Sequence, residues 1–187
     1  MKFLKNKTIA DSLTPDLIIR VGMTPTSKTL LQYLNYKKNA TQIILNPFSF
    51  SDPNHSANFH IKENPNILLK ILQTQNNKPN RIWQKSWQDI QIQTLNTINN
   101  VFEKTDVISE PSIYIDLHKS LPPKTILYVS NSMPIRDTDM FFSKRQGIQI
   151  LGNRGSSGID GMISSATGTA TQTQSPVILL IGDIAFL

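Results

Sequence analysis

No cysteine occurs in these 187 residues, which excludes a disulfide framework and any thiolate metal site. Long apolar runs are missing too. The stretch from Pro176 to Ile181 is far too short to cross a bilayer, so no membrane span is expected. Met1 to Asp11 carries lysines but no continuous apolar core, and no secretory signal is read there. Aromatic residues make up only 7% of the chain, and no basic stripe is interleaved with them, so nucleic acid is not an expected partner. No internal repeat is visible. Glycine is scarce as well, with eight in all, yet Gly152, Gly155, Gly158 and Gly161 fall in one loop. That concentration marks the loop as a place to look for function.

Apolar residues reach 39%, enough for a core. Net charge is +6 and the isoelectric point about 9.6, but the lysines and arginines are scattered, with Lys2, Lys5 and Lys7 the densest cluster. This reads as a solvated basic surface that permits anionic substrates. Asn, Ile, Lys and Gln are abundant in the manner of an AT-rich genome, which points to a plastid stroma or a bacterial cytoplasm.

Along the chain, Asp16 to Gly22 reads as a buried strand ending in glycine. Pro25 to Leu34 follows as a helix with Pro25 placed for its first turn, and Thr41 to Leu45 is a second strand. This strand–helix–strand unit predicts a parallel sheet. Ser51 to Phe59 is polar and turn-rich, Ile67 to Leu72 is a short apolar helix, and Gln73 to Asn80 is a loop. Ile82 to Lys104 is a long helix whose Trp83, Trp87, Ile90 and Leu95 read as a core stripe. A boundary falls near Val107, giving expected domains of 1–106 and 107–187. Beyond it come a helix from Glu110 to Leu117, a strand from Thr125 to Ser130, the Asn131-Ser132-Met133-Pro134 turn and a helix near Asp137 to Phe142. A strand from Gly147 to Leu151, the glycine loop, a helix from Met162 to Thr171 and a strand from Val177 to Ile181 complete the series. The fold class is α/β.

Three groups of residues carry chemistry. Asp183 follows a continuous apolar strand and Gly182, where a carboxylate can hold a hard cation or can cap a following helix. Arg136 and Arg154 each follow a strand, and two guanidinium groups there make a fork for carboxylate or phosphate; two salt bridges, with Asp137 and Asp160, are the alternative. The glycine loop leads into a helix, where backbone N–H groups can face an anion, but its spacing fits neither the dinucleotide fingerprint nor the P-loop. Ser132, Ser156 and Ser157 are hydroxyl donors outside any nucleophile elbow. His55, His60 and His118 share no metal-ligand spacing and read as exposed or capping residues. Lys28 lies near a helix start, where a lysine is electrostatically disfavoured.

Taken together, the segments Asn131-Ser132-Met133-Pro134-Ile135-Arg136-Asp137, Gly152 to Gly161 (GNRGSSGIDG) and Gly182-Asp183-Ile184-Ala185-Phe186-Leu187 resemble those of the 2-succinyl-5-enolpyruvyl-6-hydroxy-3-cyclohexene-1-carboxylate synthases. These menaquinone- and phylloquinone-pathway enzymes are thiamine diphosphate-dependent. The segment Ile18 to Lys28 is similar to the family's middle domain. The resemblance implies a parallel-sheet middle domain followed by the start of a diphosphate-binding α/β domain. It implies thiamine diphosphate with Mg²⁺ or Mn²⁺ as cofactors, 2-oxoglutarate and isochorismate as substrates, and a homo-oligomer for the full-length enzyme. It assigns Asp183 to the metal and, with Gly182 and Ile159, to the cofactor. It assigns Arg136, Arg154, Ser132, Asn131 and Lys28 to substrate. The family's pyrimidine-binding domain and the rest of its diphosphate domain have no counterpart in these residues, so a fragment, inactive alone, is expected. A non-catalytic relic or binding module and an acetolactate-synthase-like relative are the alternatives.

Overall fold

In a computed structural model, all residues are described except 76–77, 105–106, 144 and 155–157. The fold divides into two compact units, Met1–Glu103 and Lys104–Leu187.

The first unit is built on three parallel strands, β1 (Leu17–Val21), β2 (Thr41–Leu45) and β3 (Phe59–Ile61), in that spatial order. Leu17 pairs with Thr41 and Ile43 with Phe59. The β1–β2 connection contains α2 (Lys28–Tyr36), as a parallel pair requires a crossover. That helix begins at Lys28 rather than at Pro25, because the Ser27 side chain accepts a hydrogen bond from the Leu30 amide and fixes the N-cap there. β3 lies at the end of the stretch read as turn-rich, and three residues are too few to show a strand period. Its place is set by pairing: the Asn58 amide donates to the Gln42 carbonyl at 2.8 Å and the Asn46 amide to the Ile61 carbonyl at 3.1 Å.

The chain's first residues form a 3-10 turn (Lys2–Lys5) and α1 (Lys7–Ser12), which the sequence reading left unassigned. They supply Phe3, Leu4 and Ala10 to a core completed by Leu13, Tyr33 and Leu34. α3 (Pro65–Thr74) and α4 (Arg81–Glu103) follow. The tryptophan stripe of α4 is core only in part. Trp87 and Ile90 pack on the cluster, with Trp87 edge-on to Phe3 and Tyr33 at 5.7 and 6.0 Å. Trp83 and Leu95 each keep 37% of their surface exposed, because a helix of 23 residues outruns the small core it covers.

The second unit opens with α5 (Glu110–Ser120), where Ser109 and Ser112 form a reciprocal capping box. Its sheet is parallel, in the order β5 (Gln149–Leu151), β4 (Ile126–Val129), β6 (Val177–Leu180). All of β4 is buried, as its near-continuous apolar sequence requires. Leu127 and Val129 point into one cluster with Leu121 and Phe142, and Tyr128 into another with Met162 and Ala166. α6 (Met133–Phe141) joins β4 to β5, α7 (Met162–Thr171) joins β5 to β6, and α8 (Asp183–Phe186) follows β6. The expected four-residue turn is shorter than read: α6 starts at Met133 with Pro134 in its first turn, where a missing N–H costs nothing.

Candidate functional site

The chain leaves β4 toward β5 on one flank and returns through α7 to β6 on the other. Such a reversal of direction opens a crevice at the carboxyl ends of parallel strands. Asn131-Ser132, Gly152-Asn153-Arg154 and Gly182-Asp183 are the residues that follow β4, β5 and β6, so the three candidate motifs stand at the same end of one sheet.

Around the end of β4 the side chains are tied together. Asn131 is 2% exposed. Its Nδ2 donates to the carbonyl oxygens of Asn153 and Gly158, each at 2.6 Å, and its Oδ1 accepts from Arg154 Nη1 at 3.4 Å. Asn153 is fixed from both sides. Its Oδ1 accepts from the Tyr128 hydroxyl at 2.5 Å, and its Nδ2 donates to Ser165 Oγ at 3.0 Å. Gly152 permits the approach of the two strand ends, since a Cβ there would sit 2.8 Å from the Val129 carbonyl oxygen. Ser130, just before Asn131, is fully buried and its Oγ has no hydrogen-bond partner among the described residues, a polar group of the kind that calls for an explanation. Ser132 has φ of +70°, an uncommon backbone for a non-glycine residue and often found at functional turns.

Other predicted positions are less connected. Arg136 is exposed on α6, and no described contact joins it to Arg154. Among the described residues, neither arginine forms an ion pair with Asp160. Asp183 is exposed and opens α8 as its first helical residue, behind Gly182 as N-cap. It therefore does not cap the helix through its side chain. No group of three or more His, Asp or Glu able to hold a metal occurs among the described residues. Ile159 is half-buried at the end of the glycine loop. Gly155, Ser156 and Ser157 lie outside the described residues. Lys28 belongs to the first unit, where it is exposed as the first residue of α2.

The histidines are as expected in part. His55 and His60 are exposed. His118 sits in the last turn of α5 against the Phe142 ring at 5.3 Å, with its Nε2 buried and without a hydrogen-bond partner among the described residues.

Two features escaped the sequence reading. One is the Tyr128–Asn153–Ser165 chain of hydrogen bonds, whose only signal was the position of Asn153 beside Arg154. The other is a buried ion pair in the first unit, Arg20 Nη2 to Asp52 Oδ1 at 2.8 Å.

No family model matches the chain. Similarity to individual proteins is nonetheless continuous from end to end. A 2-succinyl-5-enolpyruvyl-6-hydroxy-3-cyclohexene-1-carboxylate synthase from Bacillus cytotoxicus is 36% identical over 187 residues, 98% of this chain and 32% of that protein. A synthase of the same name from Listeria welshimeri is 36% identical over 188 residues with the same coverage. One from Chloroflexus aurantiacus is 31% identical over 191 residues, covering 99% of this chain and 32% of its own length. Nearly the whole chain thus matches a segment of synthases of this name. It spans about a third of the length of the curated relatives it matches, and it holds an α/β architecture of parallel sheets. Among the described residues no helix is long and apolar enough to cross a membrane.

Proposed function

We propose that this chain is part of an enzyme that decarboxylates 2-oxoglutarate and joins the resulting succinyl unit to isochorismate, with thiamine diphosphate and Mg²⁺ or Mn²⁺. The observation that carries the reading is the meeting of three motifs at the carboxyl ends of three neighbouring parallel strands, the place where open α/β sheets take anionic ligands. The names of the relatives support this over an acetolactate-synthase-like activity. In this reading residues 1–106 are the middle domain and 107–187 the start of the diphosphate-binding domain. Homo-oligomerisation goes with the full-length enzyme. The bacterial relatives support a bacterial cytoplasm, or the plastid stroma descended from one.

Thiamine diphosphate, when bound, supplies the chemistry of decarboxylation and carbon–carbon bond formation. The protein's part is placement and charge. Arg154 and Arg136 are assigned to the substrate carboxylates, for which the planar guanidinium is suited. The Ser132 hydroxyl is assigned to the same ligand, and Lys28 to isochorismate. Gly182 lets a ligand approach the backbone, and Ile159 offers an apolar support for the cofactor. Asp183 fits Mg²⁺, which commonly takes one or two carboxylates and fills its shell with water and phosphate oxygens. One carboxylate is a sparse donor set for a metal. We therefore place turnover in an assembly larger than these residues, with the isolated chain inactive.

The test is a chimera in which this chain replaces the matched segment of the Bacillus cytotoxicus synthase. Arg154→Ala should lower kcat/KM for 2-oxoglutarate by about 2 kcal/mol or more of transition-state stabilisation, while Arg81→Ala, an exposed change on α4, should leave it unaltered. Equal activities for the two variants would sink the carboxylate assignment. A folded chimera that binds no thiamine diphosphate would sink the function as a whole.

A further inference from the structure

The side chain of Asn131 is already fully engaged, and its partners say what it does. Both of its N–H groups donate to backbone carbonyls at 2.6 Å, and those carbonyls belong to Asn153 and Gly158, the residues on either side of 154–157. Its carbonyl oxygen receives Arg154. With 2% of its surface exposed, it has neither a free donor nor an open face to offer a ligand. An amide in this arrangement holds Asn153 and Gly158 to one point and keeps Arg154 beside it. Tyr128 from β4 and Ser165 from α7 brace the same point through Asn153, so Asn131 acts against a fixed frame.

We infer that Asn131 is a positioning residue that ties Asn153 to Gly158 and orients the Arg154 guanidinium, rather than a residue that contacts substrate. This deepens the assignment of Arg154 to a substrate carboxylate and rests on it. The donors matter more than the acceptor. An aspartate at 131 would keep an oxygen for Arg154 but would turn a negative charge on two carbonyl oxygens, so Asn153 and Gly158 would part.

The experiment uses the chimera in which this chain replaces the matched segment of the Bacillus cytotoxicus synthase, loaded with thiamine diphosphate and Mg²⁺ and isotope-labelled for NMR, with 2-oxoglutarate as the probe. In the wild type the Asn131 side-chain amide protons should exchange slowly with water, and the Arg154 Nε–Hε signal should move on titration. Asn131→Asp and Asn131→Ala should each shift that signal in the absence of probe. Each should also weaken 2-oxoglutarate binding at least tenfold, at a temperature where circular dichroism shows both variants folded. A residue serving the fold alone would lower the unfolding midpoint without altering affinity among folded molecules. Wild-type affinity in either folded variant overturns the inference. So does exchange of the Asn131 amide at the rate of an exposed asparagine, a measurement that needs no variant to fold. Arg154→Ala separates the two layers. If it binds the probe as tightly as wild type, or if the wild type does not bind it, the carboxylate assignment fails and takes the positioning role with it. If Arg154→Ala abolishes binding while the Asn131 variants retain it, only the positioning role fails.

Discussion

Arg20 and Asp52 show how much one pair of residues can decide. Their side chains are 9% and 7% exposed. Asp52 Oδ2 also accepts from the Ala57 amide at 2.8 Å, while Arg20 Nε is buried without a hydrogen-bond partner among the described residues. Burial alone would raise the Asp52 carboxyl, but the hydrogen bond and charge of Arg20, with the Ala57 and Ser56 amides, hold it below its ordinary value. A lowered carboxyl contributes stability that is present above the unfolded value, about 4, and is lost as pH falls through the folded one. Urea unfolding of the first unit should therefore weaken below about pH 4. Asp52→Asn should flatten that pH dependence while destabilising the unit at pH 7 by about 3 kcal/mol or more, because it strands the buried guanidinium. An unchanged acid profile in Asp52→Asn would show that another carboxyl governs it.

Among the elements, the β4–β5 pair sets the geometry of the candidate site, and Gly152 sets the pair. The Val129 carbonyl stands where a side chain at 152 would begin, and it is backbone, so it cannot swing aside. Gly152→Ala should cost about 1–3 kcal/mol, measured as a lower denaturant midpoint. It should also displace the Asn131 side-chain amide signals, since the strand end and the loop move together. The same substitution at Gly168, in α7, meets nothing within 4 Å and should be neutral or mildly stabilising, because alanine is the better helix former.

For the molecule as a whole, each unit carries its own core, one around Leu13 and Tyr33, the other around Leu127 with Tyr128 and Met162 on the opposite face of the sheet. Each unit also has a buried tyrosine whose phenol is shifted, Tyr33 in the first and Tyr114 in the second. Burial pushes Tyr33 up to about 12. Burial, helped by the negative charges of Asp137 and Glu110, does the same to Tyr114. A phenol raised on folding contributes stability that is intact below its unfolded value, about 10, and is lost as pH climbs toward 12. Both units should weaken over that interval. Tyr33→Phe should reduce the alkaline loss in the first unit alone and Tyr114→Phe in the second alone, as read by hydrogen exchange of amides in each core. A Tyr33 variant that altered the second core equally would show that the two cores are coupled.

Most of the elements were legible because their signals are local. The apolar runs of β1, β2, β4 and β6, the apolar stripe of α4, and the glycine after β1 all declare themselves within a few residues, and the motif residues were read at the ends of strands, where they stand. What the amino-acid order could not express was anything that depends on a distant partner. β3 is a strand only because β2 lies beside it. α1 has no amphipathic pattern long enough to notice, yet it helps build the core. Arg20 and Asp52 are 32 positions apart, and nothing near either names the other. Asn131 showed the same limit within the site: its motif marked it as important, but only the folded loop, 22 and 27 positions downstream, decided that its amide is spent on backbone carbonyls. Local propensity and pattern are short-range properties, whereas burial, ion pairing and the satisfaction of a buried amide are settled by what the fold brings into contact.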